Sequence, residues 1–174
     1  AIDGAGNADL SEATQSWIVD VTVPDTAITG GPSGTVNVTT ASFTFSSEVG
    51  ATFECQLDGA GYAACASPQD YVGLSDGTHT FDVYAIDQAG NVELVAASQS
   101  WTIDTTAPDT AITSGPSGTV NVATASFTFT SEVGATFECQ LDGGGYSACA
   151  SPQNYASLAE GPHTFMVRAI DVVG

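Results

Sequence analysis

The chain has no lysine and a single arginine, Arg168, against 20 acidic residues, for a formal net charge of −19. That lack of positive charge excludes nucleic acid as a partner, because phosphate binding needs Lys and Arg. Attraction to an anionic membrane surface fails for the same reason. Almost every bond a trypsin-like protease would cut is also missing, which suits a protein exposed outside the cell. No CxxC knuckle occurs, so neither a thiolate metal site nor a thioredoxin-type redox centre has its usual spacing. No Ser/His/Asp or Cys/His set recurs at equivalent places along the chain, and we expect no enzyme activity. No stretch has helical periodicity, and no signal peptide or transmembrane run is visible. Any leader or anchor would lie outside this sequence.

What is present is a repeat. Thr52-Phe53-Glu54-Cys55-Gln56-Leu57-Asp58-Gly59, running on to Tyr62 and Cys65, returns almost letter for letter as Thr136 to Cys149. Residues 24–87 and 108–171 differ at 13 of 64 positions, mostly by Ala/Ser/Thr/Gly exchange, so the two are close copies. The match continues at the edges. Ala1 to Asn7 parallels Ala85 to Asn91, and Ser16-Trp17-Ile18-Val19-Asp20 parallels Ser100 to Asp104, whereas Gly174 aligns with Gly90. We therefore divide the chain into residues 1–20, the last strand of a preceding repeat; 21–104, a complete repeat; and 105–174, a repeat lacking its last strand.

Within a repeat, apolar and polar residues alternate at period two over Phe43–Phe45, Phe53–Leu57, Phe81–Ala85 and Trp101–Ile103. Weaker strand candidates lie at 26–29, 63–65 and near Tyr71. Gly31-Pro32-Ser33-Gly34, Asp58-Gly59, Asp76-Gly77 and the stretch from Asp87 to Asn91 read as turns. About seven short strands, with turns every 8 to 12 residues, predict an all-β chain of seven-stranded Ig-like or FnIII-like sandwiches. The short, proline-fixed linker Asp104-Thr105-Thr106-Ala107-Pro108 predicts an extended end-to-end array.

The run from Thr106 to Asn121, with the segments Ala125–Phe129 and Gly134–Pro152 and the Ser-Trp-x-x-Asp ending, closely resembles tandem Ig-like repeats of large bacterial surface and secreted proteins. The resemblance covers essentially the whole chain. It implies a stalk or adhesin-like architecture, stiffened in some relatives by calcium, and it carries over no ligand residue.

Cys55/Cys65 and Cys139/Cys149 have equal spacing on the arms of a hairpin that turns near residue 60. We expect one disulfide within each hairpin, and hence a secreted or surface-displayed protein. His79 and His163 occupy equivalent places before a strand and read as packed or capping residues. Strand order groups the carboxylates. Asp104, Asp109, Glu132 and Asp171 fall at the junction between the two copies, as do Asp58 and Asp76 from the end of the first copy. Asp20, Asp25, Glu48 and Asp87 fall at the upstream junction. Clustered carboxylates repel unless a cation compensates, and Ca2+ takes six to eight oxygen ligands, so calcium is the cofactor such clusters would take. The competing reading is that each Asp caps its own turn.

Trp17 and Ile18 belong to a spare last strand, and the second copy has no counterpart of Trp101. An open sheet edge invites an added strand. The expected partners are thus neighbouring repeats or copies of the same chain, joined head to tail by strand exchange. Asn37-Val38-Thr39 is an N-glycosylation sequon that the second copy lacks. The functional expectation is an extracellular stalk or filament segment. The alternative is an adhesive module binding carbohydrate or protein, which surface-stacked Tyr62, Tyr71 and Tyr146 would favour.

Overall fold

The computed structural model describes residues 1–2, 4–8, 10–11 and 13–173; the sequence matches at Asp3 and Gly174 lie outside the described residues. All regular structure among them is β. The first copy contains β1 (Ala27–Gly30), β2 (Gly34–Val36), β3 (Ala41–Ser46), β4 (Thr52–Leu57), β5 (Ala63–Cys65), β6 (Gln69–Tyr71), β7 (Gly77–Ile86) and β8 (Ala97–Ile103). These make two sheets, ordered β1-β3-β6 and β2-β8-β7-β4-β5. The second copy contains β9 (Ala111–Ser114), β10 (Thr124–Thr130), β11 (Thr136–Leu141), β12 (Ser147–Cys149), β13 (Gln153–Ala156) and β14 (Phe165–Ile170). Its strands are ordered β13-β10-β9 and β12-β11-β14. Strands of 27–103 pair only with one another, and so do those of 111–170.

Period-two patterning explains the first core. On β3, Ala41, Phe43 and Phe45 point inward while Ser42, Thr44 and Ser46 are exposed. They meet Phe81 and Val83 of β7, Trp101 and Ile103 of β8, and Cys55 of β4. Phe43 and Phe81 stack across the two sheets, with ring centroids 4.1 Å apart and planes 12° from parallel, and Trp101 tilts onto Phe43 at 5.1 Å. Antibody domains link the corresponding strands by a disulfide; here an aromatic stack does it. Burying each such side chain contributes roughly 1.5–3 kcal/mol. The Trp101 indole N–H has no acceptor among the described residues, so packing alone holds the ring.

The first copy has one strand more than the sequence predicts. Gly31-Pro32-Ser33-Gly34 reads as a turn, yet Gly34 starts β2, which runs parallel to β8 with Gly34 opposite Trp101 and Val36 opposite Ile103. The leading strand thus begins in one sheet and finishes in the other. Glycine permits the crossover: a Cβ on Gly31 would lie 2.5 Å from the Phe43 ring. Gly34 then takes a left-handed φ of 66°, which glycine adopts without steric cost.

The second copy repeats this core, with Phe127 stacked on Phe165 at 4.1 Å. It differs where β8 has no counterpart. No strand pairs with the outer edge of β14 among the described residues, and 118–120, the equivalent of β2, forms no strand. β14 also starts four residues later than β7 does. Only Phe129 and Cys139 are buried among the described residues of this copy. Near the start of the chain, Ile2 bridges Ala8 as Ile86 bridges Val92, repeating the turn that follows β7.

Candidate functional site

The disulfide hairpins form as expected. Cys55 bonds Cys65, and Cys139 bonds Cys149, with Cα–Cα separations of 5.8 and 5.7 Å, and no cysteine is free. The register sets Cys55 opposite Ala63 and Cys65 opposite Phe53, and likewise Cys139 opposite Ser147 and Cys149 opposite Phe137, so each bridge runs diagonally across its hairpin and does not join directly facing residues. The turn places Asp58 at φ 52° and Gly59 at φ 70°. A left-handed aspartate beside glycine fits the Asp-Gly turn read from sequence.

That same Asp58 holds His79. Asp58 Oδ2 lies 2.7 Å from Nδ1, the Ser75 carbonyl lies 2.8 Å from Nε2, and Asp58 Oδ1 accepts the Thr80 N–H at 2.8 Å. Both ring nitrogens face acceptors, so satisfying both requires the doubly protonated imidazolium. The hydrogen bond to Ser75, with that to Asp58, raises the His79 pKa against the opposing effect of burial. Burial pushes Asp58 up, but its bonds from His79 and Thr80 outweigh that and hold it below the usual carboxylate value. A histidine that donates from both nitrogens has no lone pair with which to act as a general base. Its role is to fix the start of β7, which agrees with the capping role read from sequence. His163, Asp142 and the Ala159 carbonyl repeat the arrangement with the same distances. The surroundings differ: the His79 side chain is 8% exposed, whereas that of His163 is 27% exposed. The His79 ring lies 5.4 Å from Trp101.

Of the eight residues other than Asp58 and Asp76 expected at the junctions, four turn their carboxylates to nearby N–H groups, and the other four bond through their backbone carbonyls. Asp87 accepts the Asn91 side-chain and backbone N–H groups, which lower its pKa against the effect of burial. Asp20 accepts from Thr22 N, Asp104 from Thr106 N, and Asp171 from Val173 N. Asp25 and Asp109 each offer a backbone carbonyl, to the Ser47 and Ser131 hydroxyls. Glu48 and Glu132 each use a carbonyl to close the tight turn at Ala51 and Ala135. Of the set at the junction between the copies, Asp104 and Asp171 share one cleft, of about 380 Å3, with Asn37 and Arg168. Among the described residues, no three Asp, Glu, His or Cys side chains gather closely enough to hold an ion. The sequon residue Asn37 donates to the Val173 carbonyl at 3.2 Å.

Asp76, which strand order placed at the junction between the copies, and Glu93, which sequence reading passed over, hold the linkers. Asp76 accepts the Thr105 N–H and hydroxyl, at 3.2 and 2.7 Å, and the Thr106 hydroxyl at 3.1 Å. The Thr105 side chain contributes most to lowering its pKa. At the other end, Glu93 accepts Thr26 N–H and hydroxyl and Ala85 N–H, and the Asn91 side chain donates to the Asp20 carbonyl.

On the outer face of the β4-β5 hairpin, Tyr62 packs edge-on to Tyr84, whose hydroxyl donates to Glu54. In the second copy Arg168 replaces Tyr84. It donates to Glu138 at 2.9 and 2.6 Å and lies 4.3 Å over the Tyr146 ring. Tyr71 instead packs against Phe43 and Phe81.

A second concavity lies where β8 has no equivalent. It is a groove of about 1120 Å3 between 116–125 and 158–165, floored by Phe127 and Leu141. In the first copy the corresponding residues, among them Val36, Phe43, Leu57, Leu74 and Phe81, pack with Trp101 and Ile103.

Strand order and cross-sheet packing define a β-sandwich protein of the immunoglobulin and fibronectin-III type. Solved structures to which the chain is similar include fibronectin(III)-like modules of Clostridium thermocellum CbhA, at 17% identity and TM-score 0.45, covering 86% of this chain and 87% of that one. The FN1–FN3 domains of chicken CNTN1 match at 12% identity and TM-score 0.39, over 87% of this chain and 62% of that one. Dimeric latent PorU from Porphyromonas gingivalis matches at 16% identity and TM-score 0.34, over 88% of this chain and 18% of that one. The chain thus spans less than two thirds of the latter two. No family model matches the sequence, and no curated protein does.

Proposed function

We propose that this chain is a structural segment of an extracellular stalk or filament, in which stapled sandwiches hold connected parts at a set separation. The observation that carries this reading is the clamped linker. Asp76 takes three hydrogen bonds from Thr105 and Thr106, and Glu93 and Asn91 secure the segment that enters the first sandwich. Chain that enters and leaves a module through fixed hydrogen bonds transmits orientation, whereas a free linker does not. The two disulfides support an oxidising, extracellular setting.

Residual dipolar couplings test the reading. Both sandwiches of the wild-type chain should report one common alignment tensor, and Asp76→Ala should split it into two. Unequal tensors in the wild-type chain would overturn the reading. The adhesive alternative has one observation in its favour, the exposed Tyr62 edge beside Tyr84 and Glu54. Binding on a glycan array that Tyr62→Ala abolishes would establish it.

A further inference from the structure

We propose that the linker clamp is a proton-controlled catch: the charged His79 ring holds the turn that carries Asp76, and loss of its proton frees that turn and slackens the linker it grips. This adds regulation to the structural role above and rests on that reading.

Two sets of bonds meet in the short turn ahead of β7. The Ser75 carbonyl accepts from His79 Nε2 at 2.8 Å. The next residue, Asp76, accepts the Thr105 N–H and hydroxyl and the Thr106 hydroxyl. Upstream, the Leu74 N–H anchors the turn on the Thr39 carbonyl, and downstream Gly77 pairs with Ile103. Between those anchors, Ser75 is held by the imidazole and Asp76 holds the linker.

A neutral imidazole has one N–H and one lone pair. Asp58 faces Nδ1 at 2.7 Å. Its carboxylate makes the stronger, charge-assisted bond, so the remaining proton stays on Nδ1. The Nε2 lone pair then faces the Ser75 carbonyl, with no hydrogen between two acceptors. The ring has no room to swing aside, since its side chain is 8% exposed and Trp101 lies 5.4 Å away. Ser75 and Asp76 are exposed, so the turn is the part that moves, its carbonyl rotating out to water.

Asp58 is the charged group that faces the ring. Asp76 turns its oxygens to the linker, and β8 presents the Trp101 indole. Tyr71 of β6 is held neutral, its pKa raised by burial and then by the Asp58 charge. No lysine or arginine of this sandwich competes with the His79 proton. The bonds to Ser75 and Asp58 raise the His79 pKa against burial. The catch is therefore fully closed below about pH 6.5, the ordinary histidine value, and opens as pH rises through the folded value. His163 makes the same two bonds in the second sandwich, to Asp142 and the Ala159 carbonyl, and serves as an internal control.

Residual dipolar couplings and imidazole nitrogen shifts of the full chain, followed from about pH 6 to about pH 9, test the proposal. The two sandwiches should share one alignment tensor at the acid end and diverge with the midpoint of the His79 titration. Protection of the Thr105 N–H from exchange, corrected for its intrinsic rate, should fall tenfold or more over the same range. His79→Gln should abolish this pH dependence, and His163→Gln should preserve it. The wild-type readouts need no variant, so they decide the matter even where His79→Gln fails to fold. A tensor shared through the whole His79 titration overturns the proposal, as does a His79 ring still charged at the alkaline end, or divergence that follows His163. Those failures leave the structural role standing. Unequal tensors already at the acid end would instead refute that role, so the two failures are distinguishable.

Discussion

Opening the two disulfides should have equal energetic weight and unequal consequences. Each closes a loop with a sequence separation of 10. In the chain-entropy model a loop of that length contributes about 2.7 kcal/mol at 25 °C. For a sandwich of this size that is a fall in Tm of about 10–20 °C. The first sandwich has eight buried residues in one cluster, whereas Phe129 and Cys139 are the buried residues described in the second. The same loss should leave the first folded at room temperature and unfold much of the second. Alanine is the replacement of choice, since Cys55 and Cys139 are buried and serine would bury a hydroxyl. In a Trp17→Ala background Trp101 is the only indole, and its fluorescence during urea unfolding reports the first sandwich alone. Cys55→Ala with Cys65→Ala should lower that transition by about 2.7 kcal/mol, and Cys139→Ala with Cys149→Ala should leave it in place. A shift below about 1 kcal/mol for the first pair, or equal shifts for both, would refute the reasoning.

Three further outcomes follow from the packing. The His79–Asp58 pair should stabilise the first sandwich most between about pH 4 and 6.5, the ordinary values of the two groups. A raised histidine pKa means its contribution is full below about 6.5 and is lost as pH rises through the folded value; a lowered aspartate pKa means loss as pH falls through its folded value. A urea series against pH checks this, and His79→Gln should flatten the alkaline limb. Gly31→Ala should cost about 1–3 kcal/mol, because the new methyl meets the Phe43 ring, and calorimetry reads it as a lower Tm. Ser157 holds a left-handed φ of 57° where the first copy has Gly73. Ser157→Gly should therefore raise the stability of the second sandwich by up to about 1 kcal/mol, measured by the tyrosine signal in urea.

Features written in local sequence were legible. Alternation announced β3, β4, β7 and β8, and cysteine spacing announced both bridges. Features that depend on distant partners were not. β2 hides in a Gly-Pro-Ser-Gly turn and exists because β8 lies beside it; where that neighbour is missing, 118–120 forms no strand. The Asp58–His79 pair spans 21 residues, so no spacing rule could find it, though its return as Asp142–His163 was a visible signal. The junction carboxylates were placed by strand order, which gives the end of the sandwich a residue occupies but not where its oxygens point. Asp87 and Asp104 turned theirs to neighbouring N–H groups.

The crossover of the leading strand has a mechanical outcome. β2 near the entrance and β8 at the exit lie side by side and point the same way. A tug on the two ends of this sandwich therefore loads their hydrogen bonds lengthwise, and the bonds share the strain together instead of peeling off one by one. Three short residue pairs, bracketed by Gly34 and Val36, act as a shear latch that must rupture before the aromatic stack behind it feels the pull.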